Sequence, residues 1–169
     1  FKAIPEVREI HDTLILSSAS MTRTIQSSDV LGHIFHNNCQ LTNGKVSGRR
    51  IKNLSLRKHR FDSVQKPTGR TILYIDAVIM TAIYASVHRK GQRDGDRAND
   101  FLSYINERRL LLLAMMADAA DECIVLVRYL DSEEYELSTF MLEIESCMSR
   151  LHFLFVEAGL HLWKQCVRK

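Results

Sequence analysis

The sequence lacks the short signatures on which most catalysis and metal binding are built. It has no Cys-x-x-Cys, no His-Glu-x-x-His and no Gly-x-Ser-x-Gly, and no glycine-rich loop follows a strand. Those absences remove the usual thiol-redox, zinc-hydrolase, serine-hydrolase and phosphate-cradling arrangements. We therefore expect a protein with no enzymatic activity, no cofactor and no metal. The four cysteines, Cys39, Cys123, Cys147 and Cys166, share no close spacing. Each falls in or beside a helical pattern, where a free thiol behaves as a small apolar group. A reducing compartment is expected, the nucleus or the cytoplasm. Phe1 to Ser20 shows no basic start leading into a long apolar run, so no signal peptide is expected. Phe1 is not an initiator, as expected of a fragment, a processed product or the ordered part of a longer chain. No repeat of solenoid length and no low-complexity tract is present.

What is there is a chain with 46% apolar residues, enough to build a core without disulfides or a metal. Its net charge of +3 conceals an asymmetry. Between Lys45 and Arg70 stand nine basic residues and one acid, Asp62, which gives that stretch +8. The remainder holds 14 basic and 19 acidic residues, or −5. A mildly acidic body carrying one concentrated basic stretch is expected to meet phosphate backbones, an import receptor or an acidic protein surface. The residues that would do so are Arg49, Arg50, Lys52, Arg57, Lys58 and Arg60. Phe61 is the one aromatic residue of the stretch, so a base-stacking platform is not expected. Ser55 and Ser63 stand near arginines, where phosphorylation would reduce the positive charge.

The strongest pattern in the chain lies between Leu137 and Leu162. Leu137, Met141, Ile144, Met148, Leu151, Phe155, Ala158 and Leu162 follow one another at alternating steps of four and three. This is the seam one helix presents to another. Phe140, Cys147 and Leu154 widen it toward the stripe of a bundle helix. With the seam packed inward, Phe140, Cys147, Leu151 and Leu154 are expected to border an outer contact face. Asp131, with Glu134 three residues on, reads as the capping box that opens this helix, over Ser132 to Val167.

Earlier elements are less regular. One helix is expected from Pro5 to Ser28, weakened by the serines at Ser17 to Ser20, and a second over Val30 to Leu41 capped by Asp29. Asn43-Gly44 and Ser47-Gly48 mark a loop. Pro67-Thr68-Gly69 is expected to end the basic segment. Thr71 to His88 is apolar nearly all round, with Asp76 its single charge, and reads as the central helix of a bundle rather than a membrane span. Arg97 to Leu130 is expected to be helical, with a break near Ala117 to Asp121.

Three groups invite a chemical reading. His33, His36 and Cys39 have ligand chemistry, but on one helix they fan over about a third of the circumference. Ordinary polar or half-buried residues are expected there. Asp76 inside an apolar helix is expected to pair with Arg108, Arg109 or a tyrosine hydroxyl. Asp118, Asp121 and Glu122 form an acidic cluster with no Glu-x-x-His beside it, and a solvated face is expected.

The sequence thus describes an all-α protein, a bundle of five to seven helices with a basic, partly irregular segment. It divides into N-terminal helices (1–44), the basic segment (45–70) and a core bundle (71–169), together forming one domain. The expected function is a scaffold that binds a protein partner or itself, with the basic arm beside it. A nucleic-acid-binding module is the alternative. A membrane partner is not expected.

Overall fold

The computed structural model describes residues 5–43, 62–131 and 136–158. Among these residues all regular structure is helical, and eight α-helices form. The class is all-α, as the patterning indicates. The helices are α1 (Pro5–Ile10), α2 (Met21–Ser27), α3 (Asp29–Asn43), α4 (Asp62–Leu73), α5 (Ile75–His88), α6 (Arg93–Tyr104), α7 (Glu107–Leu130) and α8 (Leu137–His152). α1 runs on into a π-helical turn, His11–Leu16, and α8 into another, Phe153–Ala158. The chain divides into two compact units, Phe1–Ala117 and Asp118–Lys169.

In the first unit the expected N-terminal helix is broken where its serines cluster. Ser17 Oγ accepts the Ala19 amide at 3.0 Å and Ser20 restarts the chain as α2. Short hydroxyl side chains compete for backbone partners in this way, and the helix yields. Val7, Ile10, Leu14 and Ile15, then Met21 and Ile25, are buried on either side of the break. Ser28, not Asp29, caps α3: its hydroxyl accepts the Leu31 amide at 3.4 Å, three residues into the turn.

Pro67-Thr68-Gly69 does not end a segment but lies inside α4. The expected helix from Thr71 to His88 is instead bent by 77° between Leu73 and Ile75. Tyr74 sits at the bend with φ −112° and ψ 23°, and its ring meets Phe35 edge-on at 6.4 Å. Nor is α5 surrounded. Its inner arc is made of small residues, Ala77, Val78, Thr81, Ala82 and Ala85, all buried. Its larger residues Met80, Ile83, Tyr84 and Val87 are exposed. Small side chains let neighbouring backbones approach, and α6, α3, α2 and α4 are the helices packed on α5. Thr81 locks α3 to α5. Its hydroxyl donates to the Ala77 carbonyl at 2.7 Å and accepts from the Asn38 side-chain amide at 3.1 Å.

Gly91 turns the chain with φ +79°, a conformation that side chains resist. Gly95, one turn into α6, lies so close to the Arg89 carbonyl that an added Cβ would overlap it. The break in the next long helix falls at Ile105–Asn106 rather than near Ala117–Asp121. Asn106 caps α7, its side-chain oxygen accepting the Arg109 amide at 2.9 Å, and α7 runs unbroken from Glu107 to Leu130.

The second unit holds the end of α7, then α8. Asp131 does not open the last helix: its amide bonds the Val127 carbonyl at 3.0 Å, closing α7. Glu136 is the residue before α8, which starts at Leu137 rather than Ser132. The Tyr129 hydroxyl donates to the Glu136 carbonyl at 2.9 Å and receives the Glu136 amide at 3.3 Å. One phenol thus closes the corner that the capping box was expected to make; Glu134 lies outside the described residues.

Candidate functional site

The six basic residues Arg49, Arg50, Lys52, Arg57, Lys58 and Arg60 lie outside the described residues. Ser55, Phe61 and the loop glycines Gly44 and Gly48 lie outside them too.

The chemistry-bearing groups in the described part do not assemble. Cys39 is fully buried, and burial pushes its thiol up to about 11. His33 is exposed, while His36 is half-buried and bonded to Gln40 at 3.2 Å. A metal would need the three to converge, and they diverge around α3. Asp76 is exposed in the first turn of α5, where its charge suits the helix dipole. It does not take the expected arginines. Arg108 grips Glu6 with two bonds, 2.8 and 2.9 Å, and Arg109 faces Glu9 at 3.7 Å. Arg109 also lies over the Tyr104 ring at 4.0 Å and donates to the Tyr104 carbonyl at 2.6 Å. The Tyr104 hydroxyl donates to Glu9 at 3.0 Å, and desolvation, ahead of that carboxylate, pushes the phenol upward. These ties strap α1 to the corner between α6 and α7.

Asp118 and Asp121 are exposed, and Glu122 is committed to Arg150 of α8 at 2.5 Å. Among the described residues no group of three or more histidines, cysteines or acids is placed to hold a metal ion.

What the described surface does offer is apolar helix. On α5, Met80, Ile83, Tyr84 and Val87 fall at helical spacing on one side and are exposed, Val87 by 64%. Tyr84 stacks on His88 at 4.4 Å between ring centres, which extends that side to the helix end.

α8 presents the second such face, turned from the one expected. Cys147 is 4% exposed, and its thiol donates to the Glu122 carbonyl at 3.9 Å. Phe140, Ile144, Leu151 and Leu154 are half-buried on the same side. The expected outer border, Phe140, Cys147, Leu151 and Leu154, is therefore the inner side of α8 within this unit. Met141 and Met148, expected in the buried seam, point outward together with Leu142, Phe153 and Val156. Met148 and Leu142 are each 65% exposed.

The rotation has a physical reason. The residues at 140, 144, 147, 151 and 154 also step by four and three, so the sequence holds two seams that share Ile144 and Leu151. The Arg150–Glu122 pair stands beside the seam that is turned inward. Arg150 is held at once by Glu122 and by Ser146 Oγ at 2.6 Å, and this pins its side of α8 against α7.

Among the described residues no single helix is long and apolar enough to cross a membrane. Pro67–Leu73 and Ile75–His88 meet the length and composition together, but only as a pair bent by 77°. Comparison of the chain with protein-family models, with curated proteins and with solved structures found no match.

Proposed function

We propose that this chain is a non-enzymatic helical scaffold that binds other proteins through exposed apolar helix faces. The observation that carries the reading is the pair of faces just described, on α5 and on α8. Large apolar side chains scattered singly over a surface are ordinary, but runs of them along one side of a helix mark contact sites. Helix-in-groove and helix-on-helix recognition both read such residues at spacings of three, four and seven. The paired acids and arginines support the same reading. They tie helix to helix and leave no reactive group poised in the described part. The proposal places the protein in the nucleus or cytoplasm.

The test compares what wild-type protein retains from cell extract with what a Met80→Lys/Ile83→Lys/Val87→Lys variant retains. All three positions are exposed, so helical circular dichroism and the melting midpoint should hold. The reading expects specific partners to be lost with the fold intact. Identical retention by both proteins removes α5 from the interaction surface.

A second reading has one observation of its own, the +8 carried by residues 45–70. It is a nucleic-acid-binding module. Binding of mixed-sequence DNA and RNA across a salt series tests it, since each neutralised phosphate contributes about 0.9 to the slope of log affinity on log salt. A slope of several units, lost when Arg49, Arg50, Lys52, Arg57, Lys58 and Arg60 are neutralised, supports it. No binding at low salt ends it.

A further inference from the structure

We infer that the outer face of α8 is a two-fold surface that pairs antiparallel with α8 of a second copy of this chain. The inference rests on the scaffold reading and names one partner for one of its two faces.

The argument is the arrangement of residues about a single point, midway between Met148 and Ser149. A two-fold axis through that point, perpendicular to the helix, carries position 145 onto 152 and position 141 onto 156. Glu145 and His152 are both exposed on this face, seven residues apart, so they share one side of the helix. The axis places each copy's Glu145 against the other's His152. Met141 and Val156, also exposed, meet at the two ends. At the centre the Met148 side chains of the two copies adjoin across the axis, since like flanks meet and Met148 is 65% exposed there.

The flank fits as well. In antiparallel pairs like flanks adjoin, and Leu142 and Phe153, both exposed, lie on the same flank on opposite sides of the axis. All five exposed apolar residues of this face thus find an apolar partner, and its acid finds the imidazole. A two-fold contact demands that a surface complement itself.

α8 passes into its π-helical turn after His152, and Val156 lies within that turn. Turns of this kind inside helices recur at functional positions.

A parallel pair is disfavoured on the same facts. It would set Glu145 against Glu145 and His152 against His152, like against like.

The experiment is sedimentation equilibrium of the 169-residue chain, from roughly 1 to 200 µM, with circular dichroism on each variant. Wild type should pass from one copy to two as concentration rises. Glu145→Lys should weaken pairing by roughly tenfold, because the two-fold axis repeats the fault. Glu145→Lys with His152→Glu should restore it, since each copy's lysine then meets the other's glutamate. Met148→Glu should abolish it with helicity unchanged. A monomer at every concentration overturns the inference, and so does a dimer that Glu145→Lys leaves unmoved. Failure here alongside partner loss in the α5 variant ends the two-fold surface and leaves the scaffold reading standing. Failure of both ends the reading.

Discussion

Arg108 and Glu6, 102 residues apart, meet in a planar fork, Nε to Oε1 at 2.8 Å and Nη2 to Oε2 at 2.9 Å. The first turn of α7 is thereby fastened to the first helix of the chain. Both groups stay in contact with solvent, so the fork contributes orientation more than stability, and salt weakens it. Paired parallel bonds fix geometry in a way a single contact cannot.

The fork makes stability depend on acid. The Arg108 bond holds the Glu6 carboxyl below its ordinary value of 4.5, against a smaller opposing effect of desolvation. A carboxyl lowered on folding contributes stability that is complete above its unfolded value and disappears as pH falls through its folded value. Wild type should therefore exceed Glu6→Gln slightly in urea midpoint at pH 7, and the difference should disappear as the pH falls below the lowered Glu6 value. A difference that persists in acid would mean the glutamine harms the fold in some other way.

Three glycines should respond differently to alanine. At Gly95 the added carbon overlaps the Arg89 carbonyl, a backbone atom that cannot step aside. That substitution should cost roughly 3 kcal/mol. Gly91 has open space but φ +79°, so the cost is conformational, about 1 kcal/mol. Gly69 sits within α4 with nothing near it, and alanine should stabilise by about 0.5–1 kcal/mol through helix preference. Urea unfolding of the three variants checks the order, and a stabilised Gly95→Ala would show that α5 and α6 lie further apart than described.

Cys39 should be nearly inert. Its thiol is fully buried, and burial raises it to about 11, so at pH 8 only on the order of a thousandth is thiolate. Cys123 is partly exposed, though burial pushes it upward as well. Alkylation read by peptide mass should modify Cys123 well before Cys39 in the native protein, and both rapidly in urea. Early modification of Cys39 would mean that α3 opens from α5 far more readily than the Asn38–Thr81 bond allows.

The helical class was legible from the apolar spacing of the stronger segments, Thr71 to His88 and Leu137 to Leu162, whereas the charges at Asp131 misplaced the start of the last helix, since Asp131 closes α7 instead. Breaks were harder. The apolar pattern runs through Phe101 and Ile105 to Leu112 without pausing, so it hides the Ile105–Asn106 break. The signal there is Asn106, a capping residue followed directly by an acid. The bend at Tyr74 left no trace, because a helix apolar on most sides satisfies either a straight or a bent path. Asp76 misled for the related reason that pattern does not distinguish a buried acid from one at a helix start. On α8 the spacing told the width of the stripe but not its rotation, since two seams overlap and share Ile144 and Leu151.

The Glu122–Arg150 ion pair gives the sharpest test of how α8 is set. Glu122 and Arg150 approach to 2.5 Å with side chains 27% and 36% exposed, so solvent screens part of their attraction. A double-mutant cycle with Glu122→Gln and Arg150→Met should return a coupling of about 0.5–1 kcal/mol. Stability alone does not report rotation, whereas Cys147 does. Its thiol is buried on the side that Arg150 pins, bonded to the Glu122 carbonyl. Releasing the pin with Glu122→Ala should let α8 roll toward the rival seam, on which Met141 and Met148 turn inward and Cys147 outward. Modification of Cys147 by a small thiol reagent should then accelerate several-fold over wild type. Glu145→Lys, on the opposite side of the helix, should leave that rate unchanged. If Glu122→Ala also leaves it unchanged, the rotation is set by Phe140, Ile144, Leu151 and Leu154 without help from charge.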